Sequence, residues 1–286
     1  MKRRKSWLLL VLALLALALL PAIGTQLQAR AQTRETPPPP EGEPSQAPPG
    51  APIPLEDTSA RVLLVTATAG FHHDSIPAAQ EVVQRLGQES GAFAVALLPD
   101  VDSLATLSAE LLAGYDAVVF ANTSGELPLD ETQKHALLDF VATGGGFLGT
   151  HSASDTFYTW PSYGELLGAY FQVHPWTQEV DVRVEDPQHP LTGGLGQSFG
   201  ITEEIYVFRD NPRPRVRVLL SLDASSVGTE GDFPLAWCSR YGAGRVFYNA
   251  LGHFASTWED PRFQQHLLAA LRWATGRASA PCDPPA

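Results

Sequence analysis

A run such as Arg61-Val62-Leu63-Leu64-Val65-Thr66-Ala67-Thr68 has few places to go in a globular protein. It is nearly all apolar and rich in β-branched side chains, so it needs cover on both faces. That is the condition of a strand inside a parallel sheet. A turn, Ala69-Gly70-Phe71-His72-His73, follows it. A helix then begins near Asp74, Ser75 and Pro77, with Ile76, Ala79, Val83 and Leu86 on one face. The alternation repeats. Phe93 to Leu98 reads as a second strand, and Leu104 to Leu112 as a short helix after Ser103. Ala117 to Ala121 reads as a third strand ending in Asn122-Thr123-Ser124-Gly125. A helix capped by Asp130 carries the apolar stripe Leu137, Phe140, Val141 and stops at Gly144-Gly145-Gly146. Phe147 to Thr150 is then a fourth strand. Four strand–helix units with short links predict a doubly wound α/β sheet.

The second half has a different period. Glu179-Val180-Asp181-Val182-Arg183-Val184-Glu185 alternates strictly, as a strand with one wet face does. Arg215 to Leu222, Leu235 to Ser239 and Arg245 to Ala250 are further strands, and Pro261 to Thr275 is a closing helix. Antiparallel additions at one edge of a mostly parallel sheet are therefore expected. No internal repeat is evident.

Chemistry-bearing residues collect at the strand ends. His72 and His73 follow the first strand, Asn122 the third, and His151-Ser152-Ala153-Ser154-Asp155 the fourth. His253 follows the last. In an open parallel sheet, ligands bind beyond the carboxyl ends of the strands, so these sets are expected along one edge. His72 and His73 precede a helix N-terminus, where the dipole favours the neutral imidazole; His73 is taken as the inward one. Asp74 and Ser75 have a plainer reading as helix caps, His189 between Pro187 and Pro190 as a surface turn, and His253 as a core histidine. Tyr158, Trp160, Tyr163, Trp176, Tyr206 and Trp258 are candidates for stacking on sugar faces, or for ordinary core.

The termini and the charge limit the partners. Lys and Arg precede an apolar run from Trp7 to Leu20, and Ala29-Arg30-Ala31 offers a small-x-small cleavage site. Fourteen helical residues cover about 21 Å, short of a bilayer core of about 30 Å. Residues 1–31 are therefore expected to be a signal peptide and the protein secreted or periplasmic, an uncleaved anchor being the alternative. No later stretch is long enough to span a membrane. Cleavage removes five positive charges (Lys2, Arg3, Arg4, Lys5, Arg30) and takes the net charge from −12 to −17. So acidic a chain repels phosphate backbones, which argues against nucleic acid and for a small neutral or cationic ligand. Pro-rich residues 32–59 are expected to be a disordered linker, 60–277 one domain, and 278–286 a disordered tail. Export permits Cys238 and Cys282 to pair; two unrelated thiols remain the other reading.

Several familiar devices are missing. The first turn lacks the spaced glycines of a dinucleotide loop, and no phosphate-cradling loop with lysine occurs. The turn after the fourth strand has the position of a nucleophile elbow but reads Gly149-Thr150-His151-Ser152, without cysteine or Gly-x-Ser-x-Gly.

Five segments together are similar to the ThuA-like (trehalose utilisation) family. They are Thr66 to Ile76, Gly144 to Ala153, Leu166 to Phe171 with His174-Pro175, Thr202-Glu203-Glu204-Ile205-Tyr206, and Gly242 to Tyr248 with Gly252-His253. The resemblance covers Ala60 to Gly276 in order. It implies a flavodoxin-like, class I glutamine-amidotransferase-like fold, without amidotransfer because the elbow cysteine is absent. It also implies a link to disaccharide catabolism through 3-keto-sugars, and carries over His73, His151, His174, Glu204, Tyr206 and His253. The expectation is an exported enzyme acting on a carbohydrate by hydrolase, lyase or isomerase chemistry. His151 and Glu204 are assigned as acid/base groups, and His73, Asn122, His174, Tyr206 and His253 as substrate contacts. No cofactor is required; three histidines and a carboxylate make a divalent metal such as zinc a candidate. The alternative is a non-catalytic carbohydrate-binding module at the cell surface. The oligomeric state is open.

Overall fold

The computed structural model describes residues 59–284. The expected signal peptide and nearly all of the expected linker lie outside the described residues. Nine strands form one sheet in the order β2-β1-β3-β4-β9-β8-β7-β5-β6. Strands β1 (Ala60–Val65), β2 (Phe93–Leu98), β3 (Ala117–Ala121), β4 (Gly146–Thr150) and β9 (Gly244–Asn249) are mutually parallel. Strands β5 (Phe171–Val184), β6 (Ser198–Phe208), β7 (Arg217–Leu222) and β8 (Pro234–Tyr241) extend the sheet antiparallel beyond β9. The expected architecture, a flavodoxin-like α/β fold with antiparallel additions, is the observed one.

Burial explains the split. Every residue of β3 and β4 is buried, as the unbroken apolar runs require. The far end of β5 buries Val180, Val182 and Val184 while Glu179, Asp181 and Arg183 stay wet. Helices α1 (Ile76–Ser90), α5 (Ala255–Glu259) and α6 (Pro261–Ala274) pack together, and α2 (Ala109–Leu112) packs on α3 (Glu131–Ala142). Asp130 caps α3 through a full capping box with Gln133. A further helix, α4 (Pro161–Leu167), was not legible in the sequence. The expected helix from Leu104 to Leu112 is instead a 3₁₀ turn, Ser103–Thr106, followed by α2. Ser108 breaks the run by capping α2, its side chain accepting from the Leu111 N–H. Among the described residues no helix is long and apolar enough to cross a membrane.

Two expectations fail at the carboxyl end of the chain. His189 is not on a surface turn: it is 2 % exposed, with Nε2 2.7 Å from the Pro281 carbonyl oxygen. Residues 278–284 are not a loose tail. Cys282 is buried and disulfide-bonded to Cys238 of β8. Composition suggested disorder because this stretch has little apolar surface, but one covalent bond and one histidine suffice to hold it.

The topology sets four strand ends side by side. Because β1, β3, β4 and β9 are adjacent and parallel, the residues after Val65, Ala121, Thr150 and Asn249 emerge along one edge. The β5–β6 pair reaches the same edge. Two register shifts in β5, between Phe171 and Val173 and between Val173 and Trp176, bend its first half.

Candidate metal centre

The turn after β4 is a 3₁₀ segment, His151–Asp155. His151 has φ +47°, a left-handed conformation that costs a non-glycine residue about 1–2 kcal/mol. The surroundings hold it there. The Tyr248 hydroxyl donates to the His151 carbonyl at 2.7 Å, and the Tyr163 hydroxyl donates to the Ala153 carbonyl at 2.7 Å. Beneath lie Phe120, Phe147 and Phe157, which pack around the ring of Tyr163 with centroids 5.2–6.1 Å from it. This is the elbow position of the fold, occupied by an imidazole.

The His151 ring faces a cluster of like groups. Its Nδ1 lies 2.9 Å from the Ala250 carbonyl oxygen, so that nitrogen carries the hydrogen and Nε2 presents a lone pair. Around Nε2 stand His73 Nε2 at 3.1 Å, His253 Nδ1 at 3.3 Å and Glu204 Oε2 at 3.6 Å. His253 Nδ1 is 3.2 Å from Glu204 Oε2. All four donor atoms lie within 4.8 Å of one another. A tetrahedral zinc with bonds of about 2.0–2.1 Å has donor–donor edges of about 3.3–3.4 Å. Four of the six spacings lie around that value, and the two from His73 to His253 and to Glu204 stay within 4.8 Å. The second nitrogen of His73 is also engaged, Nδ1 lying 3.3 Å from Ser152 Oγ. Outer hydrogen bonds of this kind orient metal-ligating imidazoles. The donor set therefore fits a divalent metal on its own geometry.

Electrostatics agree. Burial, then the neighbouring His253, lowers His73 to about 4. Burial, then His73, holds His151 well below the usual imidazole range. Both rings are neutral at pH 7, the form that binds metal. The hydrogen bond to Glu204 raises His253. Burial pushes the Glu204 carboxyl up, but His253 and the other imidazoles outweigh it and bring it below its ordinary value. The centre holds one carboxylate among imidazoles.

His174 stands outside this set. Its Nδ1 is 3.3 Å from the other oxygen, Glu204 Oε1, and half of its side chain is open to solvent. Asn122 and Tyr206 correct the expectation of substrate contact. Asn122 is fully buried, with φ +52°. Its amide donates to Ser75 Oγ at 2.9 Å and to the Gly252 carbonyl at 2.8 Å, while its oxygen accepts from Thr150 Oγ1 at 3.2 Å. Tyr206 is 3 % exposed and packed between His151 and Phe171, with centroids at 4.4 and 4.2 Å. Both support the centre from behind. Ser75 does not cap α1; its hydroxyl donates to the Gly252 carbonyl at 3.0 Å. Gly252 has φ +131°, and a Cβ there would sit 3.5 Å from His151 Cβ, so this turn passes directly beneath the histidine.

Glu203 received no role from the sequence, although it lies in the quoted Thr202–Tyr206 segment. Its carboxylate is fully buried and accepts four hydrogen bonds. The donors are the Gly252 and His253 N–H groups at 3.0 Å each, Thr257 Oγ1 at 2.6 Å and the Glu204 N–H at 2.9 Å. Burial raises its pKa against those donors. It fixes the backbone that carries His253. Two adjacent carboxylates inside an otherwise apolar strand were the available signal. Phe71 was also missed. It is 63 % exposed, and its ring centroid is 4.7 Å from that of His73. Of the aromatics proposed for stacking, Trp160, Tyr163, Tyr206 and Trp258 are buried, and Tyr158 and Trp176 are half-buried.

The fold and this edge define a flavodoxin-like α/β protein with an inward-facing three-histidine, one-carboxylate cluster at the carboxyl ends of its strands. The chain belongs to the ThuA family, described as trehalose utilisation, whose model matches residues 61–274. It is similar to a ThuA-like protein from Bacteroides uniformis, at 26 % identity and TM-score 0.64, covering 79 % of this chain and 95 % of that one. A ThuA-like protein from Parabacteroides merdae gives 19 % identity and TM-score 0.62 over 78 % and 92 % of the two chains. A cytoplasmic protein of Salmonella typhimurium shares the fold at 12 % identity and TM-score 0.53, over 75 % and 98 %. No curated protein sequence matches the chain.

Proposed function

We propose that this is an exported, metal-dependent enzyme that moves a proton on a keto-sugar or related disaccharide derivative. The observation that carries the reading is the convergence of His73 Nε2, His151 Nε2, His253 Nδ1 and Glu204 Oε2 at the strand ends. These four residues would hold a divalent cation, which would supply a fixed positive charge beside a substrate carbonyl. The chain's own groups supply the rest. His151 and Glu204, first assigned as acid and base, are engaged as donors in the cluster, and the proton-transfer role passes to His174. Its Nδ1 faces Glu204 Oε1 at 3.3 Å, and we assign its other nitrogen, Nε2, as the base on the solvent side. The proton α to a keto group is acidic enough for an imidazole base when the enolate oxygen is stabilised.

The mouth supports a neutral sugar. Phe71 and Val173, two of the three exposed large apolar residues among the described residues, belong to the two segments that carry His73 and His174. An exposed aromatic face beside polar groups is a stacking surface for a sugar ring. Among the described residues no Lys or Arg pairs with the cluster. Export rests on the N-terminal pattern of residues 1–31 and on the Cys238–Cys282 disulfide, which suits an oxidising compartment.

The test is loss of the α-proton of a 3-keto-disaccharide in deuterated water, followed by proton NMR. His151→Ala should lose both metal and exchange, whereas His174→Ala should keep the metal and lose exchange. Exchange that persists at the normal rate in both variants refutes the reading. Sugar binding without exchange in the unmodified, metal-loaded protein favours the non-catalytic carbohydrate module.

A further inference from the structure

At the amino ends of the parallel strands, away from the histidine cluster, the chain forms a second built feature. Arg240 near the end of β8 and Arg245 near the start of β9 are directly paired across the two antiparallel strands. Like charges placed opposite one another destabilise a sheet. A third guanidinium, Arg277, joins them at a cleft of about 370 Å³ whose walls include Trp273 and Ser279. No acidic residue lines it. None of the three guanidiniums makes an ion pair or a side-chain hydrogen bond among the described residues.

Two of the three are held in place. The Arg240 guanidinium carbon lies 5.8 Å from the centroid of the Trp273 ring. The Arg245 guanidinium lies against Gly276, 3.5–3.8 Å from where a Cβ would begin, and Gly276 has φ +77°. The arginines are not needed to cap α6. Its last carbonyls already accept backbone N–H groups: Leu271 from Thr275, Arg272 from Arg277 and Ala278, Trp273 from Gly276. Residues 277–280 form one wall of the cleft, and Cys282 ties that wall to Cys238, two residues before Arg240 on the same strand.

We propose that this cleft binds a tetrahedral dianionic oxyanion, phosphate or sulfate, carried on a small organic molecule. Guanidinium groups match such oxygens in pairs of parallel hydrogen bonds. A bound dianion removes the repulsion between Arg240 and Arg245. The cleft falls in the size range of small-molecule sites, so a carbon skeleton fits beside the oxyanion. The acidic remainder of the chain repels anions generally, which makes a local arginine triad selective by position.

Isothermal titration of the purified full chain at low ionic strength tests this, with inorganic phosphate, glucose 6-phosphate and acetate as probes. Both phosphates should bind saturably with one site per chain, and acetate should not. His151→Ala should bind them equally, which separates this cleft from the metal centre. Arg245→Gln should weaken binding at least about tenfold, and Arg240→Gln with Arg245→Gln should abolish it. Cys282→Ser should weaken it several-fold by releasing the wall. Tighter binding of glucose 6-phosphate than of inorganic phosphate supports the organic carrier; equal binding overturns the carrier and leaves the free anion as the ligand. No saturable binding, or binding that survives in the double variant, overturns the proposal. So does a fall in the double variant's unfolding temperature, which would make the arginine pair structural.

Discussion

Replacing Glu203 by Gln probes how the centre is held without touching a donor atom. The two carboxylate oxygens share four donors: Oε1 accepts the Glu204 and His253 N–H groups, and Oε2 accepts the Gly252 N–H and Thr257 Oγ1. In Gln one oxygen becomes an NH₂ group. If it takes the Oε2 side, Thr257 rotates to accept from it and only the Gly252 N–H loses its partner. If it takes the Oε1 side, two N–H groups are orphaned. A buried orphaned donor costs about 1–3 kcal/mol, partly offset because no buried charge remains. The apo protein should therefore stay folded and be destabilised by about 1–3 kcal/mol. The larger effect falls on the metal. Gly252 and His253 form the backbone that presents His253 Nδ1, and loss of such outer support lowers metal affinity about 10–100-fold. Competition titration with a zinc-binding dye measures this, alongside urea unfolding of the apo protein. Glu203→Asp, which keeps an acceptor pair at shorter reach, should recover part of the affinity. Zinc affinity of Glu203→Gln within about twofold of normal refutes the reasoning.

His266 on α6 is buried; its Nε2 has no partner, and burial, then His189, lowers it to about 3. Its unfolded value is higher, so its contribution to stability is intact above about pH 6.5 and declines as pH falls toward 3, by up to about 1.4 kcal/mol per unit. His266→Leu should flatten the urea midpoint between pH 6.5 and 4.5 relative to normal, and an unchanged slope would contradict the burial argument. Reducing the Cys238–Cys282 bond, which spans a sequence separation of 44, should lower stability by about 2–4 kcal/mol in denaturant. It should also expose residues 278–284 to protease before the sheet unfolds. Phe71→Ala should raise the half-saturating sugar concentration while leaving zinc affinity unchanged; a loss of zinc instead would make Phe71 part of the metal support.

The parallel half of the fold was legible because strands buried on both faces must be written as unbroken apolar runs. The gathering of His73, Asn122, His151 and His253 then follows from topology alone. Glu204 needed the family resemblance, because β6 lies at the far edge of the sheet from β9 and only the bent β5–β6 pair brings it over. The division of labour within the cluster was not legible. Asn122 and Tyr206 are the right residue types for touching a sugar, yet both face the protein. Glu203 and Glu204 are indistinguishable in sequence. Period two sends one to the backbone of Gly252 and His253 and the other to the imidazoles. Ser75 looked like a helix cap, which local sequence favours, but a long-range contact with Gly252 takes its hydroxyl.

The central claim is that His73, His151, Glu204 and His253 hold one divalent metal ion. The direct measurement is metal content per chain by plasma mass spectrometry, after zinc loading and gel filtration at pH 7.5, for the unmodified protein and for His73→Ala and His253→Ala. The account predicts one zinc per unmodified chain, removable by chelator and restored on reloading, and well under one in each variant with the fold intact by circular dichroism. Unmodified protein that emerges without zinc, or variants that retain a full equivalent, would contradict it.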